Sequence, residues 1–437
     1  MKIRKVKTLL ISIFILTSCV TVADYNFHTI NKALNANDFA SVYYELENPN
    51  GIMYTNRDSV LENLDKGIIS HYAGEFERSN QELSKAESLI EKFQAVSITQ
   101  AIGSTITNDT VKDYAGDPYE NIYTNIFMAL NYIQLNNTED AFVEIRRMDN
   151  KLKAISAKYR KEIESNKLAL KNNAKSVPDT SMNFHNCALA RYLSMLMYRS
   201  EADYDNAEVD YKYIREAFTF QKQTYNFPVP DCIKNDYKKP EGARLNVIAF
   251  TGKAPEKIEE RTPLFAVDGF YRIALPVMKK RESSITSAKI TAQNIHTGEV
   301  FTTRTEKLES IENIAMDTYS QKYSLVVAKT IGRMVAKLTT SVVFDEAARE
   351  VDDAGLSLIF SLAGIVSKVN MFASERADVR TSRYFPGEVH VCGIDLPAGD
   401  YQITVQYMNN KHIQDTQVYS KTVQNKGLNL LESFCLK

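Results

Sequence analysis

The residues best suited to metal binding or nucleophilic chemistry are His390 and Cys392, which share one face of a predicted strand. Asp395 follows nearby, so imidazole, thiolate and carboxylate donors fall close together. The same pattern fits an edge-strand histidine beside a disulfide cysteine, and we favour this second interpretation. The other histidines show no His-Glu-x-x-His or Cys-x-x-Cys pairing; they are His28, His71, His185, His296 and His412. The sequence therefore predicts neither a metal site nor a catalytic nucleophile.

Local motifs for nucleotide binding and acyl transfer are absent from the sequence. Thr251-Gly252-Lys253 lacks the leading glycine of a phosphate-binding loop, and neither Gly-x-Ser-x-Gly nor Gly-x-Gly-x-x-Gly occurs. A carboxylate-dependent glycan hydrolase leaves no such signature, because its two acids converge only in the folded cleft. We therefore predict that the chain is not an enzyme, with a glycan hydrolase as the least favoured alternative.

The composition places the chain among globular proteins of two or three domains. Its 437 residues are 44% hydrophobic and 24% charged, which excludes a disordered chain, a fibre and a multi-span membrane protein. There are 53 Lys and Arg against 54 Asp and Glu. Four of the bases precede residue 19, so a chain without that leader carries 49 bases against 54 acids, a net charge of −5. Such a mildly acidic protein is a poor candidate for nucleic-acid binding.

Residues 1–18 are typical of a secretory signal peptide. A basic start is followed by an apolar run over residues 9–16, which is too short to span a bilayer. The run ends in Leu16-Thr17-Ser18-Cys19, which resembles the lipobox of bacterial lipoproteins. The resemblance implies a diacylglycerol thioether on Cys19, cleavage before Cys19 and acylation of the new amine, with residues 19–24 as a lipidated tether. An ordinary cleaved signal with an incidental cysteine is the alternative.

The residue after Cys19 is Val20 rather than an acidic residue, which resembles lipoproteins forwarded to the outer membrane. We therefore expect a protein anchored in the outer membrane on its periplasmic face, with the lipid as its only attached group and no other cofactor. Export to this compartment also permits disulfides. Proximity along the chain favours Cys187–Cys232 and Cys392–Cys435, with four free thiols as the alternative.

Four helical hairpins are predicted between residues 25 and 230. Each has a polar residue followed by an aromatic residue or threonine between two amphipathic patterns, at Asp38-Phe39, Glu75-Phe76, Asn137-Thr138 and Asp203-Tyr204. In the clearest unit, Gly67 precedes the turn, and Ser79, Leu83 and Ala86 follow it with small–large–small spacing. This unit resembles a tetratricopeptide (TPR) repeat, in which small residues let two helices cross closely. The resemblance implies a TPR-like α-solenoid whose groove binds a peptide or a partner helix.

The spacing of the units departs from the family pattern. The turns are 37, 62 and 66 residues apart, whereas a contiguous array repeats about every 34 residues. Residues 95–118 form a predicted loop, and residues 150–178 form a predicted long, half-exposed helix. Candidate groove residues are polar positions of the first helices: Asn63, Lys66, Ser70, Asn125, Asn131, Gln134, Arg191 and Ser194. For any single one of them, a solvated surface position is the simpler interpretation.

A β-rich domain is predicted for residues 240–437, after a proline- and lysine-rich linker. Alternation, as in Ile403, Val405 and Tyr407, predicts half-buried antiparallel strands. The predicted strands cover residues 245–250, 270–276, 285–294, 300–306, 387–392, 400–407, 417–423 and 428–435. Residues 311–375 form a predicted helical insertion. Its most apolar part, residues 356–366, fits a buried hairpin helix; a helix that binds a partner or dips into a membrane is the alternative. Asp378 and Arg380 are expected to form an ion pair that locks the insertion onto the sheet.

Together, the lipobox, the interrupted repeats, the strand at 271–276 and the turn at 377–386 resemble a family of bacterial outer-membrane lipoproteins with TPR-like repeats and a C-terminal β-rich domain. The resemblance implies an α+β multidomain fold: an N-terminal TPR-like α-solenoid followed by an antiparallel β-rich domain with a helical insertion. It carries over no active site. We therefore expect a periplasmic scaffold or regulator of envelope assembly that docks an envelope protein or peptide in its groove, with glycan or small-ligand binding as the alternative.

Overall fold

The computed structural model describes residues 25–99, 112–170, 175, 177–266, 269–350 and 376–437. The predicted leader, Cys19 with its tether, and the apolar segment 356–366 lie outside these residues. The described chain is a mixture of helices and strands. The helices are α1 (His28–Asn35), α2 (Phe39–Glu47), α3 (Ser59–Tyr72), α4 (Phe76–Thr99), α5 (Pro118–Gln134), α6 (Thr138–Leu170), α7 (Ala188–Ser200), α8 (Tyr204–Phe220), α9 (Ile233–Asp236) and α10 (Ile311–Glu350).

Four helix hairpins turn where the sequence predicted, joining α1 to α2, α3 to α4, α5 to α6 and α7 to α8. Each turn has one residue with a left-handed backbone, at φ between 56° and 79°; these residues are Asn37, Gly74, Asn136 and Ala202. The next backbone N–H donates to the carbonyl five residues earlier at 2.8–3.0 Å, as in a Schellman motif. Three of the predicted turn residues then cap the second helix by accepting from a backbone N–H; they are Asp38, Asn137 and Asp203.

The predicted close crossing of two helices occurs between α3 and α4. A Cβ atom on Gly67 would lie 2.6 Å from Leu83 Cδ2. Ser79 Oγ donates to the Gly67 carbonyl oxygen at 2.7 Å, and Ser79, Leu83 and Ala86 are fully buried. The small–large–small pattern is therefore confirmed as a packing pattern at this crossing.

The strands form two four-stranded sheets and a separate hairpin. They are β1 (Ala243–Thr251), β2 (Glu256–Ala266), β3 (Gly269–Lys279), β4 (Ser287–Asn294), β5 (Val300–Arg304), β6 (Glu306–Ser310), β7 (Glu388–Leu396), β8 (Gly399–Asn409), β9 (His412–Val423) and β10 (Asn429–Cys435). The inner sheet has the order β10-β1-β7-β6, the outer sheet has the order β5-β4-β8-β9, and β2 pairs with β3.

The expectation of a purely antiparallel domain is wrong at β10. This strand runs parallel to β1, with Leu245 opposite Asn429 and Thr251 opposite Cys435. After β9 the chain crosses from the outer sheet to the inner sheet and enters it in the direction of β1. The other pairings between described strands are antiparallel.

The inner sheet is the middle layer of three. Val247 and Cys392 on one face pack against Ile403 of the outer sheet, while Ile248 and Val391 on the other face pack against the helices. All nine residues of β1 are buried. Helices and inner sheet therefore share one hydrophobic core, although the change from helix to strand falls at the predicted linker.

The two longest helices lie side by side. α6 continues unbroken to Leu170 with Ile155 and Tyr159 buried, which confirms the predicted helix after residue 150 as far as that point. It packs against α10, where Lys329 Nζ lies 3.7 Å from Glu162 Oε2. α10 confirms the helical character of the insertion up to Glu350. Along the described chain, no helix is both long and apolar enough to cross a membrane.

Candidate functional site

Residues 377–386, here called the clamp segment, lead from the insertion into β7. Arg380 donates to both oxygens of Asp378, at 2.8 and 2.9 Å, and its Nη1 lies 3.1 Å from Asp58 Oδ1. It also donates to the Lys112 carbonyl oxygen at 3.0 Å. The predicted Asp378–Arg380 pair is therefore present. It locks the chain onto the helices rather than onto the sheet, because Asp58 and Lys112 belong to the helical region.

Two buried carboxyl groups hold the middle of the clamp segment. Ser382 Oγ donates to Asp65 Oδ1 at 2.6 Å, and the Ser382 backbone N–H donates to Glu120 Oε1 at 2.6 Å. Burial raises the pKa of Asp65 to about 6, although Ser382 and Tyr54 donate to it. Burial and the neighbouring Asp117 raise the pKa of Glu120 to about 7. One serine thus connects α3, α5 and the clamp segment.

Asp117, at the start of α5, has a different electrostatic environment. Lys257 Nζ lies 3.1 Å from its Oδ2, and Lys322 Nζ donates to its Oδ1 at 2.5 Å. Burial alone would raise the pKa of Asp117, but the two ammonium groups together hold it below its usual value. The cluster therefore contains an ionised carboxylate beside a carboxyl group that retains its proton to near-neutral pH.

Carboxyl groups of unequal proton affinity are what acid–base catalysis uses. Here, however, Asp65, Asp117 and Glu120 are all close to 0% exposed, and the adjacent Tyr114 and Lys257 are buried too. Within the described residues the cluster is sealed from solvent and lacks the open cleft that a glycan hydrolase needs. Its geometry therefore supports a structural role: it fixes the clamp segment, the β2–β3 hairpin and α10 against the helices.

The candidate groove residues do not line an open groove. Four of them are buried, namely Ser70, Asn125, Asn131 and Ser194. The other four are partly buried, namely Asn63, Lys66, Gln134 and Arg191. The expectation of accessible groove positions is therefore wrong for Ser70, Asn125, Asn131 and Ser194, whereas the other four remain partly accessible. The inner sheet covers part of this face, and polar contacts between helices use much of the rest.

Asn125 joins two neighbouring hairpins. It lies twelve residues before the turn residue Asn137, and its Nδ2 donates to Glu87 Oε1 at 2.9 Å and to Glu144 Oε2 at 2.5 Å. Glu87 lies twelve residues after the turn residue Glu75, whereas Glu144 lies seven residues after Asn137. One carboxylate from the preceding hairpin and one from the same hairpin therefore hold α5.

Arg191 makes the equivalent contacts one hairpin later. It lies twelve residues before Asp203; its Nη2 donates to Asp149 Oδ2 at 2.6 Å, and its Nη1 lies 3.9 Å from Asp210 Oδ1. Asp149 follows the turn residue Asn137 by twelve residues, and Asp210 follows Asp203 by seven. The same position thus has the same role in both hairpins, which supports an internal repeat and explains why polar residues occur there.

His71 marks the contact between the helices and β10. Its Nδ1 lies 2.6 Å from Asn131 Oδ1, and its Nε2 lies 3.1 Å from Glu432 Oε2. Gln134 also donates to the Glu432 carboxylate, and Phe434 packs edge-on to the His71 ring. Asn131 and Gln134, two of the groove candidates, are therefore engaged by the chain itself.

The three predicted donors His390, Cys392 and Asp395 are not arranged together as a metal-binding group among the described residues. The side chains of His390 and Cys392 are buried, and His390 Nε2 lies 3.0 Å from Glu388 Oε2. Asp395 instead pairs with Arg244 at 2.8 Å. Among the residues that the structure describes, no group of three or more His, Cys, Asp and Glu side chains is arranged to hold a metal ion.

All four cysteines of the described chain are free thiols, so the predicted disulfides are absent. Cys392 lies opposite Val247 and Cys435 opposite Thr251, on the two strands that flank β1. Strands two apart are separated by about 9.5 Å, which is beyond the Cα separation of about 7 Å that a disulfide tolerates. The other pair fails because Cys187 faces Glu309, with Sγ 3.3 Å from Oε1, while Cys232 lies near Asp236.

Glu309 is a buried carboxyl group that sequence reasoning did not identify. Tyr225 Oη donates to it at 2.8 Å and the Leu189 N–H at 3.0 Å, and Tyr123 donates at 2.5 Å. Burial raises the pKa of Glu309, and burial together with Glu309 raises that of the Cys187 thiol. No sequence signal marks this centre, because its members come from four separate segments.

Comparison of the chain with protein-family models, with curated proteins and with solved structures gives no match. Three features of the described residues therefore bear on function: a repeated hairpin contact, a filled inner face and a sealed carboxyl cluster beneath the clamp segment.

Proposed function

We propose that this protein is a lipid-anchored interaction scaffold of the bacterial cell envelope, tethered to the outer membrane through Cys19 and facing the periplasm. The lipobox supports the anchor, and the four hairpins with their repeated polar contacts support a TPR-like solenoid. The core that the helices share with the inner sheet favours a rigid platform over a hinged enzyme. The proposal assigns no reaction to the chain.

The observation that carries this proposal is an exposed apolar position on three of the four second helices; the fourth, α4, has the exposed Gln81 there. Tyr44, Val143 and Val209 are 65%, 40% and 45% exposed. Each lies six residues after the turn residue of its hairpin. Exposed apolar groups placed at one repeated position suit contact with another protein. This outer row therefore replaces the filled inner face as the proposed docking surface for an envelope protein or peptide.

Site-specific photo-crosslinking in cells tests the docking surface in the full chain. A photoreactive residue at Tyr44, Val143 or Val209 should capture the same envelope protein. Ile295, in the loop after β4, and Val418, on β9, are matched controls, because they are apolar side chains that are 60% and 58% exposed and do not belong to the hairpins; neither should capture it. Equal capture at the controls, or no shared protein among the three apolar positions, would contradict the scaffold proposal.

The anchor is tested separately. Cys19→Ala in the full chain should abolish lipid attachment, measured by mass spectrometry, and move the protein from the membrane fraction to the soluble fraction. Cys187→Ala, which changes a buried thiol, is the control and should leave the fractionation unchanged. Membrane association that persists in Cys19→Ala would refute anchoring through this residue without bearing on the docking surface.

A further inference from the structure

We propose that Lys253, Arg281 and Arg383 form a binding site for a phosphate group. The site is distinct from the outer row of apolar residues and does not require the scaffold proposal. Lys253 lies in the turn between β1 and β2, Arg281 follows β3, and Arg383 belongs to the clamp segment. Each of the three side chains is partly buried, so each is held by neighbouring protein atoms and is still reached by a ligand from solvent.

Backbone contacts bring the three segments together. Arg281 Nε donates to the Ala254 carbonyl oxygen at 2.5 Å, and its Nη2 donates to the Arg383 carbonyl oxygen at 3.2 Å. The Ala254 N–H in turn donates to the Phe385 carbonyl oxygen at 2.8 Å. Arg281 therefore bridges the residue after Lys253 to Arg383. The Arg383 guanidinium is also positioned by the Phe27 ring, whose centroid lies 3.8 Å from its Cζ.

The positive charge of this group is not balanced by the described chain. None of the three side chains forms an ion pair with a carboxylate among the described residues. Burial and the two guanidinium groups lower the pKa of Lys253 to about 8, and burial lowers that of Arg281. Glu256 and Asp65 act on Arg281 through space and oppose this lowering of its pKa, without a direct ion pair. Asp65 already accepts hydrogen bonds from Ser382, Tyr54 and the Arg383 backbone N–H. An anion would therefore relieve the mutual repulsion of the three cations.

A second observation points to a ligand at the same place. The Tyr384 hydroxyl is buried and has no hydrogen-bond partner among the described residues. Tyr384 directly follows Arg383 in the clamp segment. Burial and Asp65 raise the pKa of its phenol, whereas Arg383 and Arg281 lower it. Buried hydroxyl groups are nearly always satisfied. A phosphate oxygen near the guanidinium groups would accept its hydrogen bond.

The donor set fits a tetrahedral dianion better than a single carboxylate. Guanidinium groups present parallel N–H donors that match two phosphate oxygens, and an ammonium group adds a third charge-assisted contact. The phosphate could belong to a lipid headgroup or to a soluble phosphate ester. Phe27 lies eight residues after Cys19, a reach of at most about 28 Å. This reach makes a membrane lipid the nearer source if the proposed anchor holds.

Isothermal titration calorimetry of the purified mature chain in neutral detergent tests the site, with inorganic phosphate and dihexanoyl phosphatidic acid as probes. We expect both to bind at low salt, and Lys253→Gln and Arg383→Gln each to weaken binding about tenfold or more, as loss of a charge-assisted hydrogen bond predicts. Lys212→Gln, which changes a lysine exposed on α8, should leave both affinities unchanged. Tighter binding of phosphatidic acid than of phosphate would identify a lipid source, and similar affinities would identify a soluble one.

Thermal stability separates the site from a folding defect. Without an anion, Lys253→Gln should be at least as stable as the parent chain, because it removes a repelled cation. Added phosphate should raise the melting temperature of the parent chain and of Lys212→Gln, but much less that of Lys253→Gln. Failure of phosphate to bind the parent chain, or equal affinities in the parent and both site variants, would overturn the proposal.

Discussion

Replacing Asp65 by asparagine should make the stability of the protein less dependent on pH. Asp65 accepts hydrogen bonds from Tyr54 Oη, Ser382 Oγ and the Arg383 N–H. In Asp65→Asn the amide oxygen can still accept from Ser382 and Arg383, and the amide N–H can donate to Tyr54. The substitution therefore removes the titration of the group while keeping its shape and its contacts.

The magnitude follows from the pKa of Asp65, which rises from 3.8 to about 6 on folding because the group is buried. The folded carboxyl group binds its proton more tightly than the unfolded one, so its contribution to stability is greatest at low pH and is lost as pH rises through 6. Over the full range this contribution is about 3 kcal/mol. Between pH 5 and pH 7.5 this contribution falls by about 1 kcal/mol.

Urea denaturation of the parent chain and of Asp65→Asn at several pH values between 5 and 7.5 measures this difference. The free energy of unfolding of the parent should fall by about 1 kcal/mol more than that of the variant. Glu120 is present in both proteins, so its pH-dependent contribution to stability cancels when the two are compared. Glu201→Gln, at an exposed position, is the control and should follow the parent. Parallel curves for the parent and Asp65→Asn would refute the argument that burial dominates at Asp65.

Three further substitutions test the packing, and urea denaturation measures each of them. Gly67→Ala should lower the free energy of unfolding by about 1–3 kcal/mol, because its Cβ would overlap Leu83; a second change, Leu83→Ala, should then cost less than it does alone. Ala202→Gly should raise the free energy of unfolding by about 0.5–1 kcal/mol, because glycine adopts the left-handed backbone without strain. A decrease would show that Ala202 is not strained. Arg380→Gln should lower the free energy of unfolding by about 3 kcal/mol or more, because Asp58 would lose a buried partner. A loss below about 1 kcal/mol would show that this contact does not hold the clamp segment.

Local sequence patterns predicted the helix turns well because the chemistry of a turn is itself local. A residue able to adopt a left-handed backbone, followed by a side chain that caps the next helix, lies within a few positions of each hairpin. Asn37, Gly74 and Asn136 suit this conformation. Ala202 does not, yet the Asp203-Tyr204 pair that follows it was sufficient to indicate the turn.

The contacts between distant segments could not be predicted in the same way. Asn131 and Ser70 occupy polar positions that a solvated groove would also use, and their burial follows from the position of β10 and the adjacent helices. The strand β2 was not predicted, because its charged start around Glu256 and Glu259 lacks the alternation of a half-buried strand. It forms because β3 pairs with it along its whole length.

The parallel pairing of β1 with β10 has a consequence for how this protein folds in time. Leu245 and Asn429 are 184 residues apart along the chain, and β1 lies at the centre of the layer that joins helices and outer sheet. The helix hairpins are local and can form while the chain is still being synthesised. The inner sheet, in contrast, gains β10 only after the chain from Leu245 to Asn429 has emerged. An emerging chain therefore presents the unpaired edge of β1 and the apolar rings around His71 for the full interval, and a chaperone that covers this surface would be most useful just before β10 arrives.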